Sequence, residues 1–252
     1  FDHAGISIEE LQERLQELGS ERPPFESFVT SEWLIGWYSR FALGKFVDQT
    51  SATCSFDSPE FSAALQMCKD WGQSGGTETL GQRCVLEFEN IQDIIRIGTI
   101  GELYHDNYCY VGFPTSSGNG SMFELLSCFA ISAQGDKQEA AWEFIRFALG
   151  NLQPDGLLGV GIPASQSALD ERLQFLIETG QTFLEFTHKI KPSDADAFRA
   201  LIENTSMVEN SEQGILKIIT DESVSFFTGS KTASEAAALI QNRVQLYLME
   251  NR

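Results

Sequence analysis

Apolar residues recur at helical spacing along most of the chain. Ile8, Leu11, Leu15 and Leu18 form one stripe behind the capping box Ser7-Ile8-Glu9-Glu10, and Gly19 ends it. A Pro-containing loop follows at 21–25. Residues 30–44 (T-S-E-W-L-I-G-W-Y-S-R-F-A-L-G) predict an aromatic-rich helix ending at Gly44, and 45–56 alternate weakly, as irregular or short-strand structure does. Ser58-Pro59-Glu60 is a strong helix start: a capping side chain, Pro at the first helical position, then an acid at the positive end of the dipole. Phe61, Ala64, Leu65 and Cys68 mark the buried face of that helix, and 72–76 close it.

Further along, 83–88 (R-C-V-L-E-F), 108–113 (Y-C-Y-V-G-F) and 124–132 predict strands, and 91–100 a helix. Residues 114–120 have loop composition. A helix over 138–149 would bury Ala141, Phe144, Ile145 and Ala148; a Gly/Pro-rich connection occupies 150–165. Residues 169–186 read as helical with a break near Gly180, and Ser193 or Asp194 caps a helix carrying Ala197, Leu201 and Ile202. Two helices end the chain, 212–227 and 233–250. The second opens on the capping box Thr232-Ala233-Ser234-Glu235 and bears the stripe Ala236, Leu239, Ile240, Val244 and Tyr247. The pattern predicts a helix-rich α/β chain.

Composition narrows the partners. The 252 residues are 42% hydrophobic and 21% charged, enough for one large domain or two modest ones. A net charge of -19, from 36 acidic and 17 basic residues, argues against nucleic acid and against anionic lipid, both of which need a basic surface. No apolar run is long enough to span a membrane, and no secretory leader opens the chain, so the sequence reads as a mature form or an excised piece. Cys54, Cys68, Cys84, Cys109 and Cys128 form no C-x-x-C pair, which disfavours a zinc cluster. His3, His105 and His188 stand far apart.

No phosphate loop, metalloprotease motif, nucleophile elbow or calcium loop is present. Gly118-Asn119-Gly120 has turn composition, and Glu87/Glu89 is one of many carboxylate pairs that so acidic a chain supplies by chance. Trp33, Trp37 and Tyr38 stand out, beside Glu32 and Arg40. Indole faces next to a few polar groups suit sugar rings, whose C–H faces stack while their hydroxyls bind carboxylates and amides. The i, i+4 spacing of the two tryptophans serves core packing equally well.

Four segments, taken in order, resemble the extracellular (family 1-like) solute-binding proteins of ABC sugar importers. The first is Phe46-Val47-Asp48 with Cys54-Ser55-Phe56-Asp57-Ser58-Pro59-Glu60-Phe61. The second is Val111-Gly112-Phe113-Pro114-Thr115 through Gly118-Asn119-Gly120. The third runs from Phe129-Ala130-Ile131-Ser132-Ala133 to Ala140-Ala141-Trp142-Glu143-Phe144-Ile145-Arg146-Phe147. The fourth is the close of the chain, from Phe227-Thr228-Gly229 to Leu248, and Gly161-Ile162-Pro163 also matches. Each motif is a structural turn or helix; the ordered set covers nearly the whole chain.

The resemblance implies a periplasmic-binding-protein-like type II α/β fold with no cofactor and no catalysis. It implies a carbohydrate ligand; the alternatives are a peptide or polyamine solute on the same fold, or a carbohydrate-active enzyme such as a glycoside hydrolase. It also implies ABC permease subunits as partners and an extracellular or periplasmic location, with the membrane reached only through a lipid anchor outside this chain. On the family layout, 1–126 and 169–252 belong to the C-terminal lobe and 127–168 returns to the N-terminal lobe, most of which this chain is expected to lack. The same layout brings Glu32, Trp33, Trp37, Glu89, Asn90 and Glu124 forward as ligand-binding residues. Function would proceed by hinged closure of two lobes around the solute.

Overall fold

A computed structural model describes residues 5–18, 25–26, 28–72, 84–92, 94–104, 108–115, 120–124, 129–151, 162–183, 186–205, 207–208 and 212–251. The expected features at Gly19, at 73–76 and at 116–119, and Cys128, lie outside these residues. In chain order the elements are α1 (Ile8–Leu18), α2 (Ser31–Phe46), β1 (Val47–Asp48), β2 (Thr53–Cys54), α3 (Pro59–Trp71), α4 (Ile95–Tyr104) and β3 (Met122–Phe123). They continue with α5 (Gln138–Asn151), α6 (Gln166–Glu178), β4 (Gln181–Phe183), β5 (Phe186–His188), α7 (Pro192–Asn204), β6 (Met207–Val208), α8 (Gln213–Phe227) and α9 (Ala233–Glu250). The chain divides into two compact units, one of residues 5–88, 111–120 and 209–252, the other of 1–4, 89–110 and 121–208.

In the first unit α2, α3, α8 and α9 pack together. The starts of α1, α3 and α9 follow the capping logic of the sequence. Ser7 Oγ accepts from the Glu10 N–H at 3.0 Å, Ser58 Oγ from Phe61 at 3.2 Å, and Thr232 Oγ1 from Glu235 at 3.2 Å. The Glu235 carboxylate returns the bond to the Thr232 N–H at 2.8 Å, and these contacts hold its carboxyl below the usual range. The helices bury Leu34, Ile35, Phe61, Leu65, Ile215, Ile219, Ile240 and Val244, and Phe46, Phe56 and Phe61 meet ring to ring at 4.9–5.5 Å. The antiparallel pair β1–β2 and the turn between its strands are fixed by two glutamines of α9. Gln241 bonds the Phe56 N–H and the Cys54 carbonyl, and Gln245 the Ala52 carbonyl. These amides take the place of ladder partners in a segment too short to pair by itself. A side chain at Gly120 would lie 1.6 Å from the Phe113 carbonyl oxygen, in the bridge where the Phe113 N–H donates to the Gly120 carbonyl.

The second unit has its own core of Ile97, Leu169, Leu173, Leu176, Ala195 and Phe198 from α4, α6 and α7, with Ile94 just before α4 and Ile190 between β5 and α7. β3 and β6 pair in parallel, and β4–β5 is an antiparallel hairpin joined to no other strand among the described residues.

Several expected elements differ. Residues 84–88 form no strand: the Phe88 N–H goes to the Glu26 carboxylate at 3.3 Å instead of a ladder. Residues 108–113 carry only an isolated bridge between Gly112 and Gly120. Of the strand expected over 124–132, residues 124 and 129–132 are unpaired and 125–128 lie outside the described residues; just before it, 122–123 pair with β6. α4 starts and ends four residues later than expected. α6 stops at Glu178, and beyond Gly180 (φ +80) the chain turns into the hairpin instead of resuming a helix. At α7 the cap position is Lys191 with Pro192 next, and Asp194 stands inside the first turn, its carboxylate accepting from the Lys191 N–H at 2.7 Å.

Candidate functional site

The tryptophans stand on the first half of α2, in the first unit. Thr30 opens this helix, its Oγ1 accepting from the Trp33 N–H at 3.2 Å, which sets the rotation that brings Trp33, Trp37 and Phe41 onto one side. All three are half-buried against the core. Trp33 and Trp37 lie 5.4 Å apart between ring centroids, and Trp37 and Phe41 6.4 Å. On its inner side Trp33 meets Phe88 edge-on at 4.3 Å; on its outer side stands Phe28, 50% exposed, at 6.2 Å. The Arg40 guanidinium lies 4.8 Å from the Trp37 ring, a cation–π contact. Glu32 is half-buried in the first turn, where its charge favours the helix dipole.

This strip is neither wholly core nor wholly surface. The inner edges of the indoles are committed to Phe88 and, through Phe41, to Phe113, stacked at 5.1 Å. A carboxylate and a guanidinium border the rest. Flat apolar rings flanked by a hydrogen-bond acceptor and a donor are what a polyhydroxylated ring requires.

Glu89, Asn90 and Glu124 belong to the second unit. The half-buried Glu89 carboxylate is held in a two-point ion pair by Arg96, Nε donating at 2.9 Å and Nη2 to the other oxygen. That pairing neutralises it in place. Asn90 is exposed, and its carbonyl accepts from the Gln92 N–H at 3.1 Å. Glu124 is exposed just past β3. The structure therefore gathers Glu32, Trp33 and Trp37 on one helix and sets Glu89 beside Asn90, while no hydrogen bond or ion pair among the described residues joins Glu124 to either.

Sequence reasoning missed Phe28, Phe41, Phe88 and Phe113 as members of the aromatic strip. Phe41 continues the i, i+4 spacing and was findable; Phe88 and Phe113 arrive from distant segments. Among the described residues no group of three or more His, Cys, Asp and Glu side chains could hold a metal ion, and no helix is long and apolar enough to cross a membrane. Cys54, Cys68, Cys84 and Cys109 are free thiols; burial pushes Cys54 and Cys84 up to about 11 and Cys68 further still.

Two solved structures superpose on this chain. The sugar-binding protein MalE from the phytopathogen Xanthomonas citri superposes with a TM-score of 0.60 at 12% identity, over 100% of this chain and 66% of that one. An ABC transporter solute-binding protein from Thermotoga lettingae TMO, bound with alpha-D-tagatose, superposes with a TM-score of 0.53 at 13% identity, over 98% of this chain and 66% of that one. The chain shares the fold of these two proteins. It is the periplasmic-binding-protein-like fold that the ordered motifs imply. The chain spans just under two thirds of the length of each of these two proteins. No protein-family profile and no curated protein sequence matches it.

Proposed function

We propose that this chain is the ligand-capturing part of an ABC importer, taking up a carbohydrate outside the cell and delivering it to the permease. The observation that carries this reading is the half-buried strip of Trp33 and Trp37 bordered by Glu32 and Arg40, on a fold shared with two solute-binding proteins. In this reading Trp33 and Trp37 stack on the sugar and Glu32 accepts from its hydroxyls. No bond is made or broken; closure around the solute shifts the population toward the form that docks on the permease. The test is thermal unfolding of the two-lobed protein against neutral oligosaccharides, peptides and polyamines. A saturable rise in melting temperature with a carbohydrate is expected, because a ligand that binds only the folded state stabilises it by mass action. A rise with peptides or polyamines alone would sink the carbohydrate reading, and turnover of a glycoside would sink the transport reading.

The proposal extends to the lobes: 1–126 and 169–252 form the C-terminal lobe, and 127–168 returns to the other. Compact units need not coincide with lobes, and 129–151 shares its unit with 89–110 and 169–208. The support is α5 and the segment before it. Phe144 is 62% exposed, Trp142 49% and Phe129 44%, with Phe129 and Phe144 in edge contact at 6.5 Å. Exposed aromatics gathered in this way mark a surface built to be covered. Phe144→Asp is therefore expected to change the stability of this chain alone by less than about 0.5 kcal/mol, the usual scale of a surface substitution. In the two-lobed protein it should cost about 2–4 kcal/mol, the scale of a lost buried aromatic. Equal small effects by urea unfolding in both would remove α5 from the lobe contact.

A further inference from the structure

We propose that Arg172 is the core of an oxyanion-binding site, one that takes a carboxylate, phosphate or sulfate group. Arg172 stands on α6 and is 5% exposed. A guanidinium does not lose its proton in a protein, so this is a charge held inside the fold. Its neighbours do not balance that charge. Nη2 donates to Gln181 Oε1 on β4, a neutral amide; the Phe175 ring lies 5.8 Å from the guanidinium carbon; and Nη1 is buried with no hydrogen-bond partner.

Five other arginines contrast with it. Arg14, Arg96, Arg146, Arg199 and Arg243 each hold a carboxylate, although all are more exposed and gain less from it. The chain has 36 acidic residues, yet Arg172 has no ion pair among the described ones. Asp170, two positions away on α6, turns to Arg199 instead. An unpaired buried charge is strongly destabilising, and a planar guanidinium with one side already committed offers its remaining N–H groups in a fork that fits an oxyanion. The cover is light. Gln181 belongs to a hairpin that pairs with no other strand among the described residues, and a lone two-stranded ribbon is marginal in water.

The site stands independently of sugar binding at Trp33. Its test is thermal unfolding of this chain at constant ionic strength in chloride, titrated with sodium phosphate, sodium sulfate and sodium glucuronate, with neutral glucose as control. A free inorganic oxyanion and the acid group of a sugar are thereby separated. The expected result is a saturable rise on the order of 3–6 °C at ten times Kd for at least one oxyanion and none for glucose. Arg172→Met, which fills the space without the charge, should abolish the saturable rise. Gln181→Glu gives the guanidinium a carboxylate of its own; it should raise the anion-free melting temperature and also abolish the response. If Arg172→Met does not fold, Gln181→Glu decides alone. A rise equally present in the variants, or no saturable rise in the parent, overturns the proposal.

Discussion

Phe61→Ala is expected to destabilise the protein by about 3–5 kcal/mol, the cost of emptying a fully enclosed aromatic site. Phe61 is fully buried, and its ring is edge-on to Phe46 at 5.2 Å and to Phe56 at 4.9 Å. Those partners come from the end of α2 and from the segment after β2, which the β1–β2 ladder and the 2.9 Å bond from the Ser55 N–H to the Phe46 carbonyl already join, so the Phe61 ring ties α3 to both. Removing the central ring leaves a cavity and loosens both neighbours. Phe61→Leu keeps most of the volume and should cost much less, since volume-conserving changes cost under about 1.5 kcal/mol. Urea unfolding followed by tryptophan fluorescence measures both, because Trp33, Trp37 and Trp71 all report on this unit. A loss under 1 kcal/mol for the alanine variant would mean that the aromatic triangle does not organise the core.

The same residues show what could be read in advance. Ser58-Pro59-Glu60 and Thr232 to Glu235 specify their helix starts through local bonds, and both appear as expected. Local chemistry of this kind is visible in a string of letters because donor and acceptor lie three residues apart. The strands were less legible because their partners are remote. Residues 84–88 have strand composition, but the Phe88 N–H finds Glu26, 62 positions earlier, and no neighbouring strand. After Gly180 the break was readable and the conformation beyond it was not: the hairpin depends on pairing of Gln181 with His188. The candidate site divides along the same line. The spacing of Trp33 and Trp37 identified one helix face, whereas Phe88 and Phe113, which hold its inner edge, are brought in by the fold. Arg172 reads as an ordinary helix arginine; only burial shows that its charge lacks a counterpart.

Trp33→Ala should weaken carbohydrate binding by at least about 2 kcal/mol, roughly thirtyfold, as loss of a central aromatic anchor does. The prediction rests on the carbohydrate reading and distinguishes the two tryptophans. Arg40 lies over the ring of Trp37, whereas Trp33 is flanked edge-on by Phe88 inside and by the exposed Phe28 outside. Trp37→Ala is therefore expected to cost less affinity than Trp33→Ala. Because Trp33 also packs on the core, its removal lowers stability as well, and Trp33→Phe separates the two effects. Phenylalanine keeps an aromatic face and most of the contact with Phe88, so it should recover the melting temperature and much of the affinity. Calorimetric titration of the two-lobed protein gives Kd, and thermal unfolding without ligand gives stability. Were Kd unchanged in Trp33→Ala while stability fell, the strip on α2 would be packing alone, and the ligand would have to be sought among other residues of the fold.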